Sequence, residues 1–159
     1  MVARQSFTPS GDEPVEAIHN RLFFRLFQAG NTLDRQSISA LKISPVTWAV
    51  LGALSRPHVQ AGMSLSGLGE YLVVSRQSLD GVLKRLERDG YVQRISDPAD
   101  RRARIVVLTA KGRRFWDDLQ PRIYEFYRQA LHGVPFDDKV ALLALINKLN
   151  DGMRSVSLG

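Results

Sequence analysis

Apolar residues recur along this chain at every third or fourth position, interrupted by short polar breaks, and that rhythm predicts six helices and one hairpin. Residues 1–11, polar and punctuated by Pro9 and Gly11, predict a flexible N-terminal tail. With Asp12 as N-cap and Pro14 in the first turn, Val15, Ile18, Leu22, Leu26, Ala29 and Leu33 trace one face of a long first helix. Phe23, Phe24 and Phe27 widen that face beyond what one small core requires, which points to burial against another chain or around a ligand. Ser44-Pro45 opens a second helix with Thr47, Val50, Leu51 and Leu54 inward and Pro57 beyond its end. Ser64 caps a short third helix carrying Leu65, Leu68 and Leu72. After a break at Val73-Val74, Ser75 caps a fourth, in which Leu79, Val82, Leu83 and Leu86 lie on one face and Gly90 supplies the stop.

The period then changes. Residues 91–95 and 104–108 read as β-strands joined by a turn that starts with Asp97-Pro98, a hairpin that needs the preceding helices to pack on. Thr109 caps a fifth helix with Phe115, Leu119, Ile123 and Phe126 on one side, Trp116 and Tyr127 beside them, and Pro121 placed to kink it. A sixth starts at Asp137 and has two apolar sets, Leu142, Leu145, Ile146, Leu149 and Val140, Leu143, Ala144. A helix apolar around most of its circumference must be buried around most of it, and in a short chain a subunit interface is the economical way. The expected fold is mainly α with a small β-hairpin: a winged helix-turn-helix at 44–109, flanked by long N- and C-terminal dimerisation helices at 12–38 and 110–155.

Composition narrows the function. With 159 residues and 44% apolar content the chain can build its own core. Zero cysteines exclude disulfides, thiolate metal sites, cysteine nucleophiles and cysteine redox sensing. His19, His58 and His132 lie in separate segments without metal-ligand spacing, so no metal and no cofactor is expected. Neither an 18-residue apolar run nor a signal-peptide core is present, which makes the cytoplasm the expected location and a membrane partner unexpected. No catalytic residues are assigned, because phosphate-loop, nucleophile-elbow and zinc-protease motifs are all missing.

Charge is unevenly placed. Between Lys84 and Arg114 stand ten basic residues against four acidic ones, a surplus of six that equals the net charge of the whole chain. Such a concentration is the footprint expected for a polyanion.

The segment Leu86-Glu-Arg-Asp-Gly-Tyr-Val92 and the run Asp97-Pro-Ala-Asp-Arg-Arg-Ala-Arg-Ile-Val-Val-Leu-Thr-Ala-Lys-Gly112 resemble the MarR family of bacterial transcription factors, whose D-x-x-D-x-R…V-x-L-T-x-x-G wing signature they meet throughout. The helix order agrees over roughly residues 12–153. The resemblance implies a homodimer that binds a pseudo-palindromic operator in double-stranded DNA, most often as a repressor. It places the fourth helix in the major groove, with Arg76 suited to guanine, Gln77 to adenine, and Ser75, Ser78, Lys84 and Arg85 to phosphates. In the wing it implies that Arg102 enters the minor groove while Asp100 braces it by a charge-assisted hydrogen bond. Arg101 and Arg104 read either as phosphate contacts or as exposed charges, and Asp80 as a partner for cytosine or for a neighbouring arginine. It also implies a small aromatic or phenolic acid as effector, for which His19, Phe23, Trp48 and either Arg21 or Arg25 form the candidate lining. The alternative is a winged-helix protein-interaction module without specific DNA binding.

Overall fold

The computed structural model describes residues 13–159; the expected tail at 1–11 and the expected cap Asp12 lie outside the described residues. The first helix, α1, spans Glu13–Gln36 and passes into a π-type turn, Ser37–Leu41, that the apolar spacing does not announce. There Ser37, fully buried, donates its hydroxyl proton to the carbonyl of Ile43 at 2.7 Å, and Lys42 at φ 63° ends the turn.

Three serines then start three helices by one device. The Ser44 hydroxyl accepts from the Thr47 amide at 3.2 Å, Ser64 from Gly67 at 3.0 Å, and Ser75 from Ser78 at 3.1 Å. Each satisfies an amide that the first helical turn leaves without a partner. The helices are α2 (Pro45–Leu54), α3 (Leu65–Leu72) and α4 (Arg76–Arg88). Pro57, expected only as a stop after α2, begins a short 3-10 turn, Pro57–Val59. Between α3 and α4 the chain reverses at Val73, a β-branched residue held in the left-handed region at φ 54°. That conformation is costly for valine, and the hydrogen bond from Val74 N to Gly69 O at 3.1 Å helps to hold it. At the other end of α4, Gly90 takes φ 80° without that cost, while Tyr91 N bonds Leu86 O and Gly90 N bonds Glu87 O.

The hairpin strands are β2 (Val92–Ser96) and β3 (Arg104–Leu108), paired antiparallel with Arg94 opposite Val106. A third strand corrects the expected hairpin: β1, only Met63–Ser64, pairs antiparallel with β3 and gives the order β1-β3-β2. Two residues carry no readable alternation, so the pairing is visible only once β3 is in place.

The core of the winged lobe is built by Val50, Leu51 and Leu54 of α2, Leu68 of α3, Leu79, Val82, Leu83 and Leu86 of α4, and Val92 and Val106 of the sheet. The inward sets read from sequence for α2 and α4 therefore meet, except for Thr47, which is half-buried outside this core with its hydroxyl paired to that of Ser44 at 2.9 Å. Thr109 fastens the next helix, α5 (Ala110–Ala130), to the foot of the wing. Its hydroxyl donates to Gly90 O at 2.6 Å and accepts from Gly112 N at 3.0 Å. A Cβ at position 112 would lie 1.9 Å from the Tyr91 carbonyl oxygen, so the T-x-x-G spacing has a steric reason. Tyr91 also stacks on Phe115, ring centroids 4.4 Å apart.

Helix α5 continues across Pro121, where the chain divides into two compact units. In the second unit α6 spans Phe136–Arg154, beginning one residue before the expected Asp137. None of its residues is buried within the chain, although Val140, Leu142, Leu143, Leu145 and Ile146 are all large and apolar. Val15, Ile18, Leu22, Phe23, Phe24 and Phe27 of α1 are likewise exposed. No single helix among the described residues is long and apolar enough to cross a membrane.

Candidate nucleic-acid interface

Burial of Leu79, Val82, Leu83 and Leu86 decides which side of α4 is free. At the head of the helix Arg76, Gln77 and Ser78 are exposed, and Arg76 has no side-chain partner among the described residues. Ser75 is exposed as well, but its oxygen is occupied as the N-cap, which leaves the hydroxyl proton to donate outward. Arg85, one turn beyond Gly81, is exposed and unpaired among the described residues.

The structure sorts the ten basic residues of the 84–114 segment into two groups. Five are engaged. Lys84 bonds the Asp80 carboxylate at 2.7 Å, and Arg88 bonds Asp89 at 2.9 Å. Arg94 reaches Asp80 at 3.1 Å and Glu87 at 3.5 Å. Lys111 donates to the Asp89 carbonyl at 2.7 Å and lies over the Tyr91 ring; Arg113 donates to the Ser55 carbonyl at 3.5 Å. The other five, Arg85, Arg101, Arg102, Arg104 and Arg114, are exposed without an ion-pair partner among the described residues. A guanidinium held by neither protein carboxylate nor carbonyl keeps its donors for a phosphate or a base edge.

The wing tip is shaped by two aspartates accepting from amides two residues ahead: Asp97 from Ala99 at 2.8 Å, Asp100 from Arg102 at 2.9 Å. Asp97 N bonds Ala103 O and Ala103 N bonds Asp100 O, closing the loop. The Asp100 bond thus goes to the backbone of Arg102, where sequence reasoning expected the guanidinium. It fixes where the side chain starts and leaves the charged end unpaired.

Asp80, whose role the sequence left open, joins α4 to β2. Hydrogen bonds from Lys84 and then Arg94 hold its carboxyl below the ordinary carboxylate range. Arg94, counted in sequence among the ten basic residues of this segment, has a side chain three-quarters covered, and its Nε has no hydrogen bond although the Glu87 carboxylate lies near. The i, i+4 spacing of Asp80 and Lys84 is legible in sequence; the Asp80–Arg94 pairing spans fourteen residues and needs the fold.

The residues named for an effector pocket, His19, Phe23, Trp48 and either Arg21 or Arg25, lie on α1 and α2. His19, Arg21, Phe23 and Arg25 are exposed on α1, and Trp48 is half-buried on α2. At about 100° per residue, Arg21 and Arg25 fall on roughly the opposite side of α1 from His19 and Phe23. Arg25 instead donates to Gln28 at 2.9 Å. None of the five lines a cavity of about 420 Å³ in the winged lobe, whose walls include Lys42, Ser44, Thr47, Arg85, Tyr91 and Phe115.

The MarR family model matches residues 41–103, from the end of the π-type turn through the wing tip. Over its full length the chain is 40% identical to the transcriptional activatory protein BadR of Rhodopseudomonas palustris, covering 93% of that protein. The chain belongs to the MarR family. Like other members of this MarR family it is a DNA-binding transcriptional regulator with a winged-helix fold. It is 29% identical to the homoprotocatechuate degradative operon repressor of Escherichia coli over 70% of the chain and 76% of that protein. The solved structure of Bordetella bronchiseptica BpsR, whose DNA binding is regulated by 6-hydroxynicotinic acid, superposes with a TM-score of 0.71. It is 26% identical and the match covers 91% of this chain and 99% of that one.

Proposed function

We propose that this MarR-family protein acts in the cytoplasm as a homodimer on a pseudo-palindromic operator and releases or repositions on the DNA when a small aromatic acid binds. In this reading Arg76 and Gln77 read base edges, Ser75, Ser78 and Arg85 hold phosphates, and Arg102 enters the minor groove, flanked by Arg101 and Arg104. The single observation that carries it is the placement of the unpaired arginines: exposed at the head of α4 and around the wing, on an element anchored by a closed core. Two-fold readers place recognition helices about one DNA turn apart, roughly 34 Å, and the exposed apolar faces of α1 and α6 are what a second copy would cover.

The aromatic-acid effector is supported by BpsR, which responds to a hydroxylated pyridine carboxylate, rather than by convergence of the α1 residues. As to the sign of regulation, one relative is an activator and another a repressor. The same fold serves both, so the position of the operator relative to the promoter decides: overlap blocks polymerase, an upstream site recruits it.

The test is a titration of the purified protein against DNA upstream of its own gene at several salt concentrations, with unrelated duplex as competitor. Binding that survives the competitor, at two subunits per site and weakened by an aromatic acid, is the expected result. Binding to a selected duplex at one subunit per site would overturn the dimer reading, and equal affinity for every duplex would overturn operator recognition.

A further inference from the structure

We propose that Asp80 is a specificity-determining residue of the recognition helix: by tethering Lys84 and Arg94 it withholds two cations from indiscriminate phosphate binding and leaves DNA recognition to the unpaired arginines. The inference rests on the DNA-binding reading above and concerns how that site rejects the wrong DNA.

A carboxylate is an unexpected resident here. Position 80 lies one turn beyond Arg76 and one turn before Lys84, so the three share a stripe of α4. A bare negative charge on that stripe would repel a polyanion. In the structure it is not bare: Lys84 Nζ lies 2.7 Å from one carboxylate oxygen and Arg94 Nη2 3.1 Å from the other. The two partners differ in a useful way. The Arg94 side chain is three-quarters covered and also faces Glu87, so it is a fixed strut between α4 and β2. The Lys84 side chain is 70% exposed, so its ammonium is held by the carboxylate alone on a flexible stem.

A freely moving lysine on a DNA-facing helix attracts any phosphate, and its gain is the same on operator and on unrelated DNA. Each phosphate neutralised steepens the fall of log affinity with log salt by about 0.9. Tethering Lys84 removes that sequence-independent gain. Arg76, Arg85, Arg101, Arg102 and Arg104 have no such carboxylate among the described residues. Asp80 therefore acts on the ratio of affinities, and its loss should tighten binding to unrelated DNA more than to the operator.

The experiment measures the salt dependence of binding to two duplexes of equal length: one selected from random sequence by the wild-type protein, one unrelated. Asp80→Asn keeps an acceptor for Arg94 while removing the charge that holds Lys84. The expected result is a several-fold gain in affinity for the unrelated duplex, a salt slope steeper by about 0.9 per subunit, and a reduced ratio between the two duplexes. Asp80→Asn with Lys84→Gln should restore the wild-type slope. An unchanged slope in Asp80→Asn overturns the proposal. So does a slope that stays steep in the double variant, because Asp80 would then act by repulsion and not through Lys84. Should Asp80→Asn fail to fold, Lys84→Gln alone decides: no change in slope supports tethering, and a slope shallower by about 0.9 shows Lys84 already on phosphate. A wild-type protein that binds no duplex removes the DNA-binding reading itself, an outcome separate from all of these.

Discussion

In the winged lobe Leu51, Leu68 and Leu83 are sealed from solvent, whereas on α6 Leu143 and Leu145 each keep about three-fifths of their surface exposed (61% and 60%). The residue type is the same and the consequence opposite. Helices α3 and α4 each have one apolar stripe, and α2, apolar nearly throughout, packs Val50, Leu51, Ala53 and Leu54 into the core that they and the sheet share. Helix α6 has two stripes, and one chain provides too little cover for both. Large contiguous apolar faces left open on one chain are what an association surface presents. The lobe thus stores stability, and in the proposed dimer α6 would supply affinity for a second copy.

Breaking the two regions should give different signatures. Leu145→Asp puts a charge into the expected subunit interface, costing about 3–5 kcal/mol of association for an uncompensated buried charge. Sedimentation should report a dimer for the wild type, as proposed, and a monomer for the variant, with unchanged helical circular dichroism. A dimer of Leu145→Asp would move the interface off this face of α6. Leu51→Ala should do the reverse, lowering the unfolding free energy by about 2–5 kcal/mol through lost burial and a cavity. Its loss of stability in a denaturant titration should be present at every protein concentration.

The same contrast explains what was legible in the sequence. Elements with one apolar face and a chemical start signal were readable: Ser44, Ser64 and Ser75 cap the helices they announce, and Gly90 closes α4. The wing motif was readable because its residues satisfy one another locally, Asp97 with Ala99 and Asp100 with Arg102. What escaped depends on partners far along the chain. Strand β1 is two residues long and exists because β3 passes beside it. The π-type turn rests on a buried hydroxyl reaching Ile43. Arg94 looked like one more cation until Asp80, fourteen residues earlier, came within 3.1 Å. Of the expected effector lining, His19 and Phe23 share one side of α1 while Arg21 and Arg25 lie on the other, because alternate positions on a helix face opposite ways.

Within the basic segment the comparison becomes one between free and engaged arginines. Arg102→Ala should weaken binding to the selected duplex by about 1–3 kcal/mol while unfolding stability stays within about 0.5 kcal/mol, since only the backbone of this residue is bonded. Arg94→Ala should disturb stability first, because it strands Asp80 and Glu87 between α4 and β2. Equal loss of stability in both variants would erase the distinction.

The smallest expected effect concerns pH. The Lys84 and Arg94 bonds depress the Asp80 carboxyl in the folded protein relative to an ordinary unfolded value near 4. A depressed carboxyl contributes stability that is fully present above the unfolded value and is lost as pH falls through the folded one. Protonation there costs the folded state its pairing with both cations and costs the unfolded state nothing comparable. Asp80→Asn cannot titrate, so the stability gap between wild type and variant should be constant from pH 7 to 5 and close below pH 4. Solvent screening keeps the effect small, because both oxygens face partly exposed partners. Urea titrations at matched ionic strength measure the gap directly. A gap that persisted unchanged to pH 2 would mean that shape rather than charge at position 80 stabilises the fold, and the strut between α4 and β2 would then be a matter of packing.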